Sequence, residues 1–114
     1  MNQELKAAYW AQIDKAKQQL LENKLEDAFR SLQVAHVLGQ KHVWPHTVSH
    51  LYMLKIGWLK KDAREIMGQL LRIPLGILGS LVGIVPSGNT GGSDVSMYQR
   101  MDIPADIKEL LEKK

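Results

Sequence analysis

Between Gln3 and Glu22 the apolar residues fall at Leu5, Ala8, Tyr9, Ile13, Ala16, Leu20 and Leu21. That three- and four-residue spacing turns one side of an α-helix towards a core. Asn23-Lys24 predicts a tight turn, and Ala28, Leu32, Ala35 and Leu38 repeat the pattern in a second helix from Leu25 to Leu38. Gly39 is expected to end that helix in the left-handed conformation glycine tolerates. Pro45 suits the first turn of a third helix, where its missing N–H has no intrahelical partner to lose, and the helix should reach about Gly57. Asp62 is expected in the first turn of a fourth helix, where its charge meets the positive end of the dipole, with Pro74 closing that helix. Leu21, Leu32, Ala35, Leu51, Leu54, Ile66 and Leu70 are the expected core.

Leu20-Leu-Glu-Asn-Lys-Leu-Glu-Asp-Ala28 and Lys55-Ile-Gly-Trp-Leu-Lys-Lys-Asp-Ala63 share one helix–turn–helix grammar at a shift of 35 residues. The period is close to that of tetratricopeptide repeats, although the consensus Trp, Gly and Tyr positions are incomplete. After Pro74 the pattern changes. Leu75 to Val85 is apolar and broken by glycines, Pro86 to Asp94 is dense in turn residues, and Ala105 to Lys114 reads as a short helix packing Ile107, Leu110 and Leu111 on the body. The predicted fold class is therefore all-α: two antiparallel hairpins in a four-helix, tetratricopeptide-like array, then a glycine-rich irregular arm and a short C-terminal helix. A single domain over 1–114 is expected, with residues 1–73 as the helical body and 74–114 as the wrapping arm.

Composition narrows the chemistry. With 114 residues, 45% of them hydrophobic, a core can form without disulfides, and the absence of cysteine removes thiolate nucleophiles, Cys-based zinc sites and iron–sulfur clusters. A formal charge of +3 is mild, and no basic stripe interleaves with Trp10, Trp44 and Trp58, so these are expected to pack, and nucleic acid is not an expected partner. The polar amino terminus lacks the apolar stretch of a signal peptide, which points to the cytoplasm. The longest apolar run, 73–85, falls short of the roughly 20 residues a transmembrane helix needs, so no transmembrane segment is expected.

All four histidines, His36, His42, His46 and His50, lie within 15 residues. His46 and His50 stand four apart on one helical face, and folding the third helix back across the 40–44 loop brings His36 opposite them. Three imidazoles in that arrangement suit zinc, copper or nickel. Antiparallel pairing of the third and fourth helices sets His50 near Gln69 with Glu65 one turn away, making Glu65 or Asp62 a candidate fourth ligand. Six Lys/Arg against two acids between 41 and 73 leave a local +4, which opposes a cation. His46-Thr-Val-Ser-His50 has no glutamate after its first histidine, which excludes zinc-protease chemistry of the His-Glu-x-x-His type. No nucleophile elbow accompanies the histidines, and Ser87-Gly-Asn-Thr-Gly-Gly92 lacks the Lys-Ser/Thr of a nucleotide loop. No catalytic residue is thereby identified, and an enzyme is not the expected reading.

Ala35-His-Val-Leu-Gly-Gln40, His46, His50, Met53-Leu54, Asp62 with Glu65, Gly68-Gln69, Arg72, Pro86-x-Gly88-Asn-Thr-Gly-Gly92 and Ile103-Pro104 together resemble DUF3703, a family of small bacterial proteins. The likeness spans residues 20 to 111. It implies no particular reaction, a setting among mobile elements and heavy-metal resistance loci, and a pattern that includes His36, His46 and His50 but not His42. The expected function is a non-enzymatic helical protein holding a transition metal through His36, His46 and His50, with Glu65 or Asp62, in a metal-stress context. The alternative is a helical protein–protein interaction module without metal, whose histidines hydrogen-bond or sense pH. In either case Leu75–Val85, unless folded onto its own body, is the candidate interface for a homodimer or another protein.

Overall fold

The computed structural model describes residues 1–112, and five helices account for its regular structure: α1 (Gln3–Leu21), α2 (Leu25–Gly39), α3 (Val43–Lys60), α4 (Ala63–Val82) and α5 (Ala105–Glu112). No strand occurs among the described residues. The expected end of the last helix at Lys114 lies outside them.

Local chemistry sets each boundary. The Asn2 side chain accepts from the Leu5 amide at 2.8 Å and caps α1, and Asn23 takes the left-handed conformation (φ 59°) that turns the chain into α2. Asp62 is the N-cap of α4, one position before the expected first turn, its Oδ1 accepting from the Glu65 amide at 3.1 Å. α3 runs to Lys60, three residues beyond the expected Gly57, and Lys61 caps it at φ 55°.

Gly39 departs from expectation because it has no positive φ. Its lack of a side chain serves packing instead: a Cβ there would stand 2.7 Å from Pro45 Cβ and 2.8 Å from the Tyr9 ring. The Tyr9 hydroxyl donates to the Pro45 carbonyl at 2.6 Å, tying α1 to the start of α3.

Consecutive helices pack as neighbours, α1 on α2, α2 on α3 and α3 on α4, giving two hairpins joined through α2 and α3. Leu5, Tyr9, Ile13, Leu32, Leu38, Met53 and Ile56 form the centre of the apolar core, and α5 lays Ile107, Leu110 and Leu111 against it as expected. Leu32 and Ala35 are fully buried, whereas Leu54 and Ile66 are half-buried. Leu21, Leu51 and Leu70 are corrected to the surface, at 83%, 44% and 51% exposure. Leu21 lies at the last turn of α1, beyond the packed face. Leu51 and Leu70 lie on the outward faces, because the inner face of α3 is shared by His46, Ser49 and His50 with Val48, Met53 and Ile56, and that of α4 is given to polar residues.

That inversion is fullest in α4, whose buried residues are Glu65, Gln69, Arg72 and Ser80. With Gly76 they form one helical stripe, while Met67, Leu71, Leu78, Leu81 and Val82 remain exposed. The expected stop at Pro74 is also corrected, since α4 continues through it to Val82 and the irregular segment starts at Gly83. An internal proline costs about 3 kcal/mol. Contacts beyond it offset the cost: Gly76 lies against the His46 ring, and the Ser80 hydroxyl joins His46 to the Gln40 carbonyl. By length and composition α4 is apolar enough to cross a membrane, yet its polar stripe is occupied by contacts within the protein. Trp10 packs edge-on against Tyr9, but Trp44 and Trp58 are exposed, contrary to the packing role expected of them.

Candidate metal centre

α2 delivers His36 near its C-terminal end, and α3 delivers His46 and His50 one turn apart, all three buried at 2–5% exposure. Their Nε2 atoms form a nearly equilateral triangle: His36 to His46 3.0 Å, His36 to His50 3.1 Å and His46 to His50 3.1 Å. His42 precedes α3 and stays outside the cluster.

The second nitrogen of each ring determines the tautomer. His36 Nδ1 lies 2.7 Å from the Asn89 carbonyl, which can only accept, so Nδ1 carries the proton. His50 Nδ1 lies 2.5 Å from Gln69 Oε1. The Gln69 amide cannot be reversed, because its nitrogen donates to Glu65 Oε2 at 2.6 Å and to the Gly91 carbonyl at 2.9 Å. His46 Nδ1 faces Ser80 Oγ at 2.7 Å, and that hydroxyl spends its own proton on the Gln40 carbonyl at 2.9 Å. Each neutral ring therefore holds its proton on Nδ1 and turns a bare Nε2 lone pair to the centre. Three such lone pairs at 3.0–3.1 Å have no proton to share, an arrangement that repels itself unless a cation sits among them.

A proton is a poor candidate for that cation. Burial, followed by the neighbouring His50 and His46, holds His36 well below the usual imidazole range. Burial and then His50 lower His46 to about 3. Burial lowers His50 to about 4 against the opposing Gln69 hydrogen bond, with Arg72 adding to the depression.

Asp62 and Glu65 are not brought to the triangle. Asp62 is exposed and engaged as the N-cap of α4. Glu65 is buried, accepting from Gln69 Nε2 and, at 2.8 Å, from the Ser93 hydroxyl, so it reaches His50 only through Gln69. The expected approach of Gln69 to His50 is what the structure shows.

Sequence reasoning missed the arm's contribution. Asn89 is 2% exposed, with Nδ2 donating to the carbonyls of Ser96 and Gln99 and Oδ1 accepting from the Gly91 amide, while its carbonyl orients His36. Gly91, at φ 86°, lies so close to His36 that a Cβ would approach the ring to 2.5 Å. The Gly-Asn-Thr-Gly-Gly segment is thus a bracket for an imidazole. Ser80 and Gln40 were also missed; for Ser80 the polar stripe along an otherwise apolar α4 was the available signal.

A cavity of about 320 Å³ borders the triad, lined also by Arg72, Leu75, Val85, Met97 and Arg100. No curated protein and no solved structure matches the chain. The family described as "Protein of unknown function (DUF3703)" matches residues 3–111, nearly the full length, and the chain belongs to that family.

Proposed function

We propose that the protein binds one divalent transition-metal ion through Nε2 of His36, His46 and His50 and acts as a non-enzymatic carrier or sensor, in the metal-stress setting that the family resemblance implies. The observation carrying this reading is the convergence of three Nε2 atoms whose protons are held elsewhere by Asn89, Gln69 and Ser80. The three Nε2 atoms would hold such an ion as neutral nitrogen donors, a set that suits a transition metal and leaves it able to take a further ligand. Zinc, copper and nickel all accept such a nitrogen set, and the local positive charge weakens binding without removing the donors. Residues 1–114 act in this reading as one domain, because α2, α3, α4 and the arm each contribute to the site.

Metal analysis of untagged protein, followed by calorimetric titration of zinc, copper and nickel, tests the reading. One equivalent bound far more tightly than about 0.1 mM, and lost in His46→Ala, is expected; no stoichiometric binding, or binding unchanged in the variant, overturns it.

The exposed side of α4 supports a second element, homodimerisation. Seven large apolar side chains of α4 are each 41–66% exposed. They leave roughly 700 Å² of apolar surface, near the ~800 Å² each partner gives to a standard interface. A second copy can cover this surface while each triad stays on its own inward face.

A further inference from the structure

We infer that residues 86–101 form a strap that gates the histidine triad, opening to pass the metal and held shut once the metal is bound. The gate rests on the metal reading and adds how the ion enters and is retained.

The strap is braced from within. Asn89 Nδ2 donates to the carbonyls of Ser96 at 2.8 Å and Gln99 at 2.7 Å, and the Met101 amide donates to the Ser87 carbonyl at 3.1 Å. Gly88 packs so closely on that crossing that a Cβ would stand 2.0 Å from the Met101 carbonyl oxygen. These links join the two ends of the strap to each other and its middle to its start, so it moves as one piece, as compact surface loops do. Before it, Gly83 turns the chain at φ 75° where a Cβ would meet nothing within 4 Å, a joint that packing does not restrain. Beyond it, α5 is anchored separately through Ile107, Leu110 and Leu111.

The strap also walls the site. The triad is buried at 2–5% exposure, and the cavity beside it is lined by His36, His46 and His50 from the body and by Pro86, Asn89 and Met97 from the strap. An ion exchanges at so buried a site when a covering segment moves, and the segments that move are those held by few buried apolar contacts.

Three hydrogen-bond chains couple the strap to the ligands. The Asn89 carbonyl holds His36 Nδ1 directly at 2.7 Å. The Gly91 carbonyl accepts from Gln69, whose Oε1 holds His50. The Pro86 carbonyl accepts from Gln40 Nε2 at 2.7 Å, and the Gln40 carbonyl in turn accepts from the Ser80 hydroxyl that holds His46. All three chains end on strap carbonyls. A closed strap therefore fixes the Nδ1 protons that leave each Nε2 bare for the metal, whereas an open one removes the acceptor of His36 and loosens the supports of His46 and His50. The closed state binds metal more tightly, and by reciprocity bound metal favours closure by the same factor. Two further links, Ser93 to Glu65 and Arg72 to the Val95 carbonyl, are also hydrogen bonds, each of small net worth, which keeps opening within thermal reach.

Hydrogen exchange read by mass spectrometry on the full chain, with and without zinc, tests the gate. Zinc should slow the amides of 86–101 at least about tenfold, and those of α5, which packs on α1, by less than about threefold. Equal slowing in both, or none in the strap, overturns the inference. Gln40→Met deletes the link to Pro86 and keeps the backbone carbonyl to which Ser80 donates. That variant should release zinc to excess EDTA about fivefold faster, the weight of one hydrogen bond, and an unchanged release rate overturns the inference. If it does not fold, the wild-type exchange decides. A chain that binds no zinc overturns the metal reading and the gate with it, whereas bound zinc beside an indifferent strap overturns the gate alone.

Discussion

His50 Nδ1 and Gln69 Oε1 stand 2.5 Å apart across the α3–α4 hairpin, and this contact fixes the nitrogen that carries the His50 proton. Gln69 can hold that orientation because Glu65 and the Gly91 carbonyl accept from its amide nitrogen. A chain from Glu65 through Gln69 to His50 thus aims a lone pair at the centre of the triad without contributing a ligand.

Replacing Gln69 by Leu keeps every ligand but frees the His50 ring and its tautomer. Metal affinity should fall by about 10–100-fold, the usual effect of losing an outer-shell partner. Calorimetry with zinc reads this directly. Unchanged affinity would show that the hydrogen bond does not orient the ligand.

The metal-free protein should be sensitive to acid. In the unfolded chain the imidazoles protonate near 6.5, whereas in the folded protein His50 does so at about 4 and His46 at about 3, with His36 also well depressed. Between these values the unfolded state holds more protons, so stability is present above pH 6.5 and is lost as pH falls towards 4. Each histidine contributes about 1.4 kcal/mol per pH unit within that window. Thermal melts should show Tm dropping steeply from pH 7 to 5, less steeply in His36→Gln. Zinc should raise Tm most at pH 7 and progressively less below 6.5, because only neutral imidazole ligates. A flat melting profile across that range would contradict the buried, neutral triad.

Much of this arrangement was legible in the sequence. Helical periodicity located the first two helices, and the spacing of His36, His46 and His50 brought three imidazoles together across the α2–α3 junction between the two hairpins. The turn at Asn23 was readable because its residues act locally. Pro74 was not: its local cost argues for a stop, whereas the contacts of Gly76 and Ser80 that carry α4 onward form only after folding. Leu51 and Leu70 were misplaced for a related reason, since an apolar residue faces inward by default, but here Gln69, Arg72 and the histidines claim the interior. Asn89 carries no ligand signature of its own; its role arises because the arm crosses His36.

Two glycines provide an internal comparison. Gly83 and Gly91 both have positive φ, 75° and 86°, but a Cβ at Gly83 meets nothing within 4 Å, whereas at Gly91 it would come to 2.5 Å from His36. Gly83→Ala should therefore cost only the backbone strain, about 1–2 kcal/mol, and leave zinc affinity unchanged. Gly91→Ala should add displacement of the His36 ring and weaken zinc binding at least about tenfold, through loss of ligand orientation. Denaturant melts and calorimetry on the two variants separate the effects, and equal zinc affinity would remove the arm from the site.

The outward face of α4 makes the last prediction. Leu78, Leu81 and Val82 are 58–66% exposed, while Ser80 on the same turns is buried against His46 and Gln40. Inserting α4 into a bilayer would have to break those polar contacts, whereas a second copy can cover the apolar face and leave them intact. Sedimentation of the wild-type chain should therefore show a dimer. Leu78→Arg, which places a charge at that surface without touching the triad, should give a monomer with unchanged zinc stoichiometry. Association of the wild-type chain with lipid vesicles, abolished by the same substitution, would assign the face to a membrane surface. A wild-type monomer that ignores vesicles would leave neither role standing.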